Sequence, residues 1–447
     1  MKKCLLIGLV IVLCCLSATA QTVYNLDSCK AMALRGNLTV QNKRLLVESA
    51  AEVKKGAFTK YFPSVSAAAG SFWLTRPMVD MDFDLGRLQT NFFSPLSLYI
   101  DLPSIPMQMM KGGAMGGVTA VQPVFAGLRI IRGNQLAQLG IDAAKVQAEM
   151  SEEEVCEQVE YYYWQIVALQ EKLKMLSTLD QQLQRISEDV ETAVLAGVTT
   201  SNDRLKVQLK QQELASGRLR VENGIRTYKA ILRQTAQLPD SDFDLATDTM
   251  LMPDLPQEYY VEADAAVGDR KESQLLDMQV RAAELQTQMK IGEHLPQVAV
   301  GAAYNSYYMD VNKDNTTTNH FGAVFGTITV PISGWWEGAH AIRQCRINEQ
   351  IARNERDHNR QLMTVQMQQN WNELVESYQQ LLIAQKSIEL SQDNLRMQHD
   401  FYEAGTGTLS DLLNAQTMLQ QSFDSYSEAF VNFQVKKRAY LKNTGRN

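Results

Sequence analysis

The sequence lacks a long hydrophobic run after its first twenty residues. No later segment stays apolar over the ~20 residues that a transmembrane α-helix needs. The sequence therefore predicts no membrane-spanning helix. A chain without one can still enter a membrane as a β-barrel, because a closed barrel pairs every backbone polar group.

The first twenty residues have a different composition. A basic start, Met1-Lys2-Lys3, precedes an uncharged run from Cys4 to Leu16 and then the small residues of 17–20. This order is typical of a secretory signal peptide with an Ala-x-Ala cleavage site. We predict that residues 1–20 are removed on export.

Cysteine and histidine are scarce. Three cysteines follow the signal segment, Cys29, Cys156 and Cys345, and their scattered positions exclude a disulfide scaffold. The five histidines are dispersed, and we find no phosphate loop, nucleophile elbow or metal-ligand spacing. The sequence predicts no enzymatic activity, no metal and no cofactor.

An excess of basic charge is also absent. The chain has 43 Lys and Arg against 50 Asp and Glu, a net charge of −7. An acidic chain without basic runs is not expected to bind nucleic acid.

A short segment occurs twice, at 196–208 and 404–416. Ala, Gly, Thr, Asp, Leu and Gln coincide in register, and the glycines are Gly197 and Gly405. Each copy lies between long helical patterns: glycine ends one helix, and Thr-x-x-Asp opens the next. We predict two tight helix-to-helix joints, at 196–203 and 404–411.

The whole chain repeats around these joints. The predicted first repeat covers 21–237, an acidic linker covers 238–258, and the second repeat covers 259–447. Each repeat is predicted to contain a helix, two strands, a helix of about 100 Å, a joint and a last helix. The strands are predicted at about 63–75, 115–124, 297–309 and 320–330, and 74–115 as a long loop. In the first long helix, apolar spacing predicts a seam from Leu169 to Val190 that includes Asp180 and Ser187.

Four strands with exposed edges cannot stand alone in lipid, so closure requires several chains. Three chains would supply twelve strands. Aromatic residues at the strand ends are predicted to lie at the membrane interface: they are Phe72, Trp73, Phe125, Trp335 and Trp336.

The duplicated joints and the strand-end segments 122–127 and 330–334 resemble those of the TolC-type outer-membrane factors. The resemblance extends from Leu26 to about Tyr440. It implies an α+β membrane protein: a homotrimer whose strands form a twelve-stranded β-barrel and whose α-helical hairpins form a periplasmic α-barrel. It also implies the outer membrane of a Gram-negative bacterium, outer-membrane lipid around the barrel, and two partners, a periplasmic adaptor (membrane fusion protein) and an inner-membrane pump.

The resemblance implies that the joints form the periplasmic tip. The residues expected to dock the adaptor are Gly197, Thr200, Leu205, Gly405, Thr408 and Leu413. A ring of aspartates closes the tip in the family, and Asp411, Asp203 and Tyr402 are the candidates here. This chain departs from the prototype at Asn414, in place of a second acid, and at Gly407, in place of an arginine.

Physical chemistry gives these aspartates two alternative roles. Carboxylates around a threefold axis repel one another and attract cations. Alternatively, each caps the following helix together with Thr200 or Thr408. We favour capping for Asp203 and pore lining for Asp411.

The predicted function is a passive outer-membrane exit channel of a tripartite efflux or type I secretion system. Small-molecule efflux is preferred over protein secretion. The alternative is a soluble periplasmic coiled-coil adaptor or scaffold, which has long helices but does not account for four alternating strands.

Overall fold

The computed structural model describes residues 22–75, 79–83, 87–93, 96–101, 105–109, 112–239, 243–246, 253–312, 315–332 and 334–446. The predicted signal peptide and parts of the predicted linker lie outside these residues. The chain folds into two compact units. The helical unit comprises Met1–Ser49, Asp142–Gln279 and Arg353–Asn447, and the sheet unit comprises Ala50–Ile141 and Val280–Ala352.

The described residues contain ten strands and eight α-helices. The strands are β1 (Thr22–Tyr24), β2 (Ser64–Trp73), β3 (Val79–Phe83), β4 (Arg87–Phe93), β5 (Leu96–Asp101), β6 (Ile105–Met109), β7 (Gly112–Ala126), β8 (Phe243–Leu245), β9 (Gln297–Asn312) and β10 (Asn315–Thr329). The helices are α1 (Leu26–Gly36), α2 (Leu38–Phe58), α3 (Arg129–Leu195), α4 (Ser201–Ala236), α5 (Ala263–Val267), α6 (Lys271–Glu293), α7 (Gly334–Glu403) and α8 (Leu409–Asn443).

Helices α3 and α7 are very long, at 67 and 70 residues. Neither contains a proline, so no backbone hydrogen bond is lost along them. At 1.5 Å per residue each measures about 100 Å. None of the described helices has the length and hydrophobicity to cross a membrane.

The buried seam of α3 differs from the predicted one. Leu176, Leu183 and Val190 are buried as predicted, but Leu179 and Ile186 fill the positions between them. The adjacent Asp180 is exposed and Ser187 is only partly buried. The prediction for these two positions was wrong because an ideal helix repeats every 3.6 residues, so the apolar side chain one position earlier also reaches the seam.

The main sheet has the strand order β10-β9-β7-β2, and all its pairs are antiparallel. Ala126 of β7 and Thr329 of β10 both pair with Gln297 of β9. Among the described residues, the outer edges of β2 and β10 have no pairing strand. One sheet therefore presents two open edges, of 10 and 15 residues.

The segment predicted as a long loop, 74–115, contains short strands. β3 pairs with β6 and β4 pairs with β5, both antiparallel. The loop prediction was wrong because these strands are only five to seven residues long. Runs that short carry too few repeats for a periodicity signal, although strand pairing still satisfies their backbone groups.

The linker region also contributes a strand. β8 pairs in parallel with β1, and the Tyr163 hydroxyl donates to the Ala246 carbonyl at 3.0 Å. The Lys229 ammonium contacts Asp244 at 2.7 Å and donates to the Phe243 carbonyl. The linker is thereby fixed to the start of the described chain and to two helices of the helical unit.

Candidate functional site

The first joint is a tight turn between α3 and α4. Gly197 has a φ of +72°, which side-chain-bearing residues adopt only with strain. The Val198 N–H donates to the Ala193 carbonyl at 2.9 Å, and the Gly197 N–H donates to the Val194 carbonyl at 3.1 Å. These bonds satisfy the free carbonyls at the end of α3, as in a Schellman motif.

The second joint, between α7 and α8, repeats this geometry. Gly405 has a φ of +71°. The Thr406 and Gly407 N–H groups both donate to the Phe401 carbonyl at 2.9 Å. The two joints therefore adopt the same turn, each with a glycine of positive φ at the equivalent position.

Thr199 and Gly407, which are 208 residues apart, are one of the pairs of positions at which the joints differ. The Thr199 hydroxyl donates to Asp203 at 2.7 Å. Gly407 has no hydroxyl to offer, and a Cβ there would lie 2.9 Å from the Phe401 Cβ, closer than side chains tolerate. The close approach of the Phe401 turn thus requires glycine at 407 and changes how the second aspartate is held.

Asp203 is held by the first joint. Its carboxylate accepts the Thr199 hydroxyl and contacts the Lys206 ammonium at 2.9 Å. The Thr199 and Lys206 hydrogen bonds lower the pKa of the Asp203 carboxyl below its usual value. The expected cap by Thr200 is wrong, because the Thr200 hydroxyl accepts no backbone N–H and turns toward Asp203 at 3.4 Å.

Asp411 is held by its own helix end alone. The Thr408 hydroxyl accepts the Asp411 N–H at 3.2 Å and donates to the Asp411 carboxylate at 2.6 Å. Thr408 is therefore an N-cap, as predicted. Asp411 is exposed, and no ion pair to it is found in the described part of the chain. Of the two aspartates, only Asp411 combines exposure with an uncompensated charge.

Two lysines of α4 bond to α8, and neither was predicted from the sequence. The Lys206 ammonium donates to the Ser410 hydroxyl of α8 at 3.1 Å as well as to Asp203. One turn later Lys210, only 7% exposed, donates to the Thr417 hydroxyl at 2.9 Å and to Glu213. The spacing of Lys206, three residues after Asp203, indicates an ion pair within α4. Its bond to α8 depends on tertiary packing and has no signal in the sequence.

Tyr402 is partly buried against the core around the joints. Burial raises the pKa of its phenol, and the negative charges of Asp189 and Asp203 raise it further. The structure thus brings two of the three predicted gate residues, Tyr402 and Asp203, into one electrostatic environment.

The residues predicted for docking are not equivalent in the two joints. Leu205 is 53% exposed, whereas its counterpart Leu413 is only 9% exposed and packs in the core. Val198 and Leu209 are also exposed beside Leu205. The first joint therefore presents an aliphatic surface that the second joint lacks.

The predicted interface aromatics lie at two ends of the sheet. Phe72 and Trp73 are at the last residues of β2, where Trp73 pairs with Gly112. Phe125 lies at the opposite end, where β7 finishes, and Trp335 and Trp336 follow β10. All five are exposed. Because neighbouring residues of a strand face opposite sides, Phe72 and Trp73 cannot both face the same environment.

Comparisons with known proteins agree with this architecture. Residues 272–434 match the family model described as "Outer membrane efflux protein". The fold is that of the outer-membrane efflux channels. The resemblance to the TolC-type factors is thereby confirmed, as is the predicted combination of long α-helical hairpins with four long strands. No curated protein matches the chain in sequence.

Solved structures cover almost the whole chain. The Campylobacter jejuni CmeC outer membrane channel has a TM-score of 0.73 and 13% identity, over 94% of this chain and 85% of its own. CusC has a TM-score of 0.75 and 12% identity, over 96% of this chain and 93% of its own. The open state of the Neisseria gonorrhoeae MtrE channel has a TM-score of 0.69 and 14% identity, over 94% of this chain and 89% of its own. At these identities the likeness establishes the fold alone.

Proposed function

We propose that the protein is a passive outer-membrane exit channel, formed by three copies and opened at its joints by a periplasmic adaptor and an inner-membrane pump. The observation that carries this proposal is the main sheet with its two open edges. Unpaired backbone groups in lipid cost several kcal/mol each, so the β2 edge of one copy must pair with the β10 edge of the next. Three copies give twelve strands, enough to enclose a lumen.

The two faces of the sheet support the same arrangement. One face carries exposed apolar side chains, which by the pairing register are Val65, Trp73, Val118, Tyr304, Val324 and Ile328. The other face carries Ser66, Thr119, Asn305, Asn319 and Thr327, together with Phe72, Phe321 and Phe325. The first face is mostly apolar, whereas the second mixes polar and apolar residues. A lipid-facing wall around an aqueous lumen requires its apolar face outside and its more polar face inside.

The gate is proposed to be a ring of Asp411 side chains, one from each copy. Asp203 is compensated by Lys206, whereas Asp411 is exposed and carries its charge without an ion pair among the described residues. Three such carboxylates near a common axis would attract divalent cations. We expect Asp411→Asn to reduce the block of the open pore by divalent cations at least several-fold. Asp203→Asn is the control and should leave the block nearly unchanged; equal effects would contradict the assignment.

The exposed aliphatic surface of the first joint, around Leu205, is proposed to dock the adaptor. Exposed apolar patches of this kind commonly mark protein interaction sites. The matched family model, described as an outer membrane efflux protein, supports efflux over secretion as the setting, and small molecules are the cargo we propose.

Membrane fractionation followed by a mass measurement in detergent tests the proposal. We expect the protein in the outer-membrane fraction, with a protein mass near three times that of the mature chain. The mature chain is somewhat below the 50.3 kDa of the full sequence. A monomer in the soluble periplasmic fraction would contradict it and favour the adaptor or scaffold alternative.

A further inference from the structure

All four junctions between the main sheet and the helices α2, α3, α6 and α7 lie at one end of the sheet. β2 and β9 begin there, and β7 and β10 end there. Neighbouring junctions touch: the Asn134 amide donates to the Ala57 carbonyl at 2.8 Å, and the Trp335 indole donates to the His294 carbonyl at 3.0 Å. The backbone of Gly127, just before α3, approaches that of Gly292 in α6 so closely that a Cβ on either would overlap the other.

The ten-residue segments at these junctions are basic when taken together, with net charges of +3 at 53–62, +2 at 127–136 and zero at 287–296 and 334–343. We call residues 53–62, 127–136, 287–296 and 334–343 the basic collar. They contain seven Lys or Arg and only two Asp or Glu, a net charge of +5, in a chain whose net charge is −7. The acidic character of the rest of the chain makes this local reversal of sign the notable feature.

Few of these charges are compensated. Lys55 pairs with Glu52, and Lys290 pairs with Glu293. Lys60, Arg132 and Arg343 have no ion-pair partner within the described ranges, and Lys60 and Arg343 are exposed. The collar therefore presents open positive charge to whatever surrounds it.

Exposed apolar side chains lie between these charges and the strand ends. Phe62 is 56% exposed and Trp336 is 75% exposed, with Ile332 and Trp335 beside them. Large amphipathic aromatics followed by Lys and Arg are the residue types that anchor proteins at a membrane–water interface.

We propose that the basic collar binds the anionic headgroups of phospholipids in the leaflet that faces the periplasm. The inference rests on the proposed function, because it requires the strands to lie in the membrane. Arg132 lies six residues after Ala126, and Arg343 nine after Gly334, about 9 and 14 Å along their helices. A headgroup layer of ~6 Å and a Debye length of ~8 Å cover this distance. Anionic headgroups complement the charge, and the aromatics reach the acyl boundary.

Lipid selectivity measured by tryptophan quenching tests the proposal. The full mature protein is reconstituted in bilayers containing phosphatidylcholine or phosphatidylglycerol with brominated acyl chains, which quench tryptophans at the interface. The test variant is Lys60→Gln/Arg132→Gln/Arg343→Gln. The matched control removes three exposed arginines of the helical unit, Arg185→Gln/Arg220→Gln/Arg226→Gln.

The wild type should prefer the anionic lipid at least fivefold, since each basic residue near an anionic surface contributes about fivefold. The preference should fall to within about twofold of unity in the collar variant or in 0.5 M salt, and should persist in the control. Equal binding of both lipids by the wild type would overturn the proposal while leaving the channel function intact.

Two other results would also overturn it. Quenching by neither lipid would show that the sheet does not enter bilayers, and the proposed function would then fail as well. A wild type without lipid preference that sediments with peptidoglycan through the same three charges would assign the collar to the cell wall instead.

Discussion

Lys206 is predicted to hold the two joints of a protomer together. Its ammonium contacts Asp203 at 2.9 Å within the first hairpin and the Ser410 hydroxyl at 3.1 Å on the second. Lys206→Met removes both bonds at similar side-chain length. Any conformation that separates the start of α4 from the start of α8 should then form more easily.

The size of the expected shift depends on how far the bonded side chains are exposed to solvent. The Lys206 and Asp203 side chains are 38% and 22% exposed, so solvent screening limits the ion pair to about 0.5 kcal/mol. The bond to Ser410 contributes about 1 kcal/mol. The ion pair lies within α4 and stays intact when the joints separate, so only the Ser410 bond enters the equilibrium. The variant should therefore shift it by about 1 kcal/mol, which is about 5-fold.

Single-channel recording without adaptor measures this shift as an increased open probability. Ser410→Ala should reproduce most of the effect, and adding it to Lys206→Met should add little, because the two side chains share one bond. Lys174→Met removes a comparable i,i+3 pair with Glu171 that stays within α3, so it should leave gating unchanged. Equal effects of Lys206→Met and Lys174→Met, or no effect of Ser410→Ala, would show that the Lys206–Ser410 bond does not hold the joints together.

The pH dependence of the same contact has a definite sign. The pKa of Asp203 is depressed, so its contribution to stability is present above the ordinary carboxyl value near 3.8 and is lost as the pH falls through the lowered value. Acid should therefore loosen the first joint in the wild type. In Lys206→Met part of this contribution is already gone, and the acid effect should be smaller.

Three further predictions concern single positions. Gly407→Ala should destabilise the second joint more than Gly405→Ala, as measured by thermal unfolding. An alanine at 405 has open space and costs only the ~1–2 kcal/mol of its positive φ, whereas a Cβ at 407 would overlap Phe401. Cys29 should resist maleimide at pH 8 until the protein unfolds, because burial raises its pKa to about 11; rapid labelling of the folded protein would contradict its burial. Tyr440→Phe should cost about 1–3 kcal/mol in unfolding free energy, because it leaves the Val261 N–H, now 2.9 Å from the hydroxyl, without that partner; no change would contradict this bond's role.

The joints and long helices could be predicted because their signals are local. A glycine that needs positive φ, a threonine three residues before an aspartate and a proline-free apolar period each act within a few residues. The four long strands were recognisable for the same reason, since alternation extends over ten or more residues. The short strands β3 to β6 offer no such length.

The contacts that decide the roles of the aspartates are not local. Thr199 and Gly407 occupy equivalent positions, yet the consequence for Asp203 and Asp411 depends on how closely the chain approaches Phe401. The Lys206 bond to Ser410 joins residues 204 apart, and no periodicity encodes it. Such bonds follow from the packing of α4 against α8, which a single sequence does not specify residue by residue.

The central claim is that three copies of this chain enclose a pore. The most direct test is to add the purified protein to a planar lipid bilayer and record single-channel conductance, with chemical cross-linking of the same sample. The account predicts discrete conductance steps from a cross-linked trimer, reduced by divalent cations in the wild type and less so in Asp411→Asn. Conductance from a monomer, or a sample in which cross-linking finds only monomers, would contradict it.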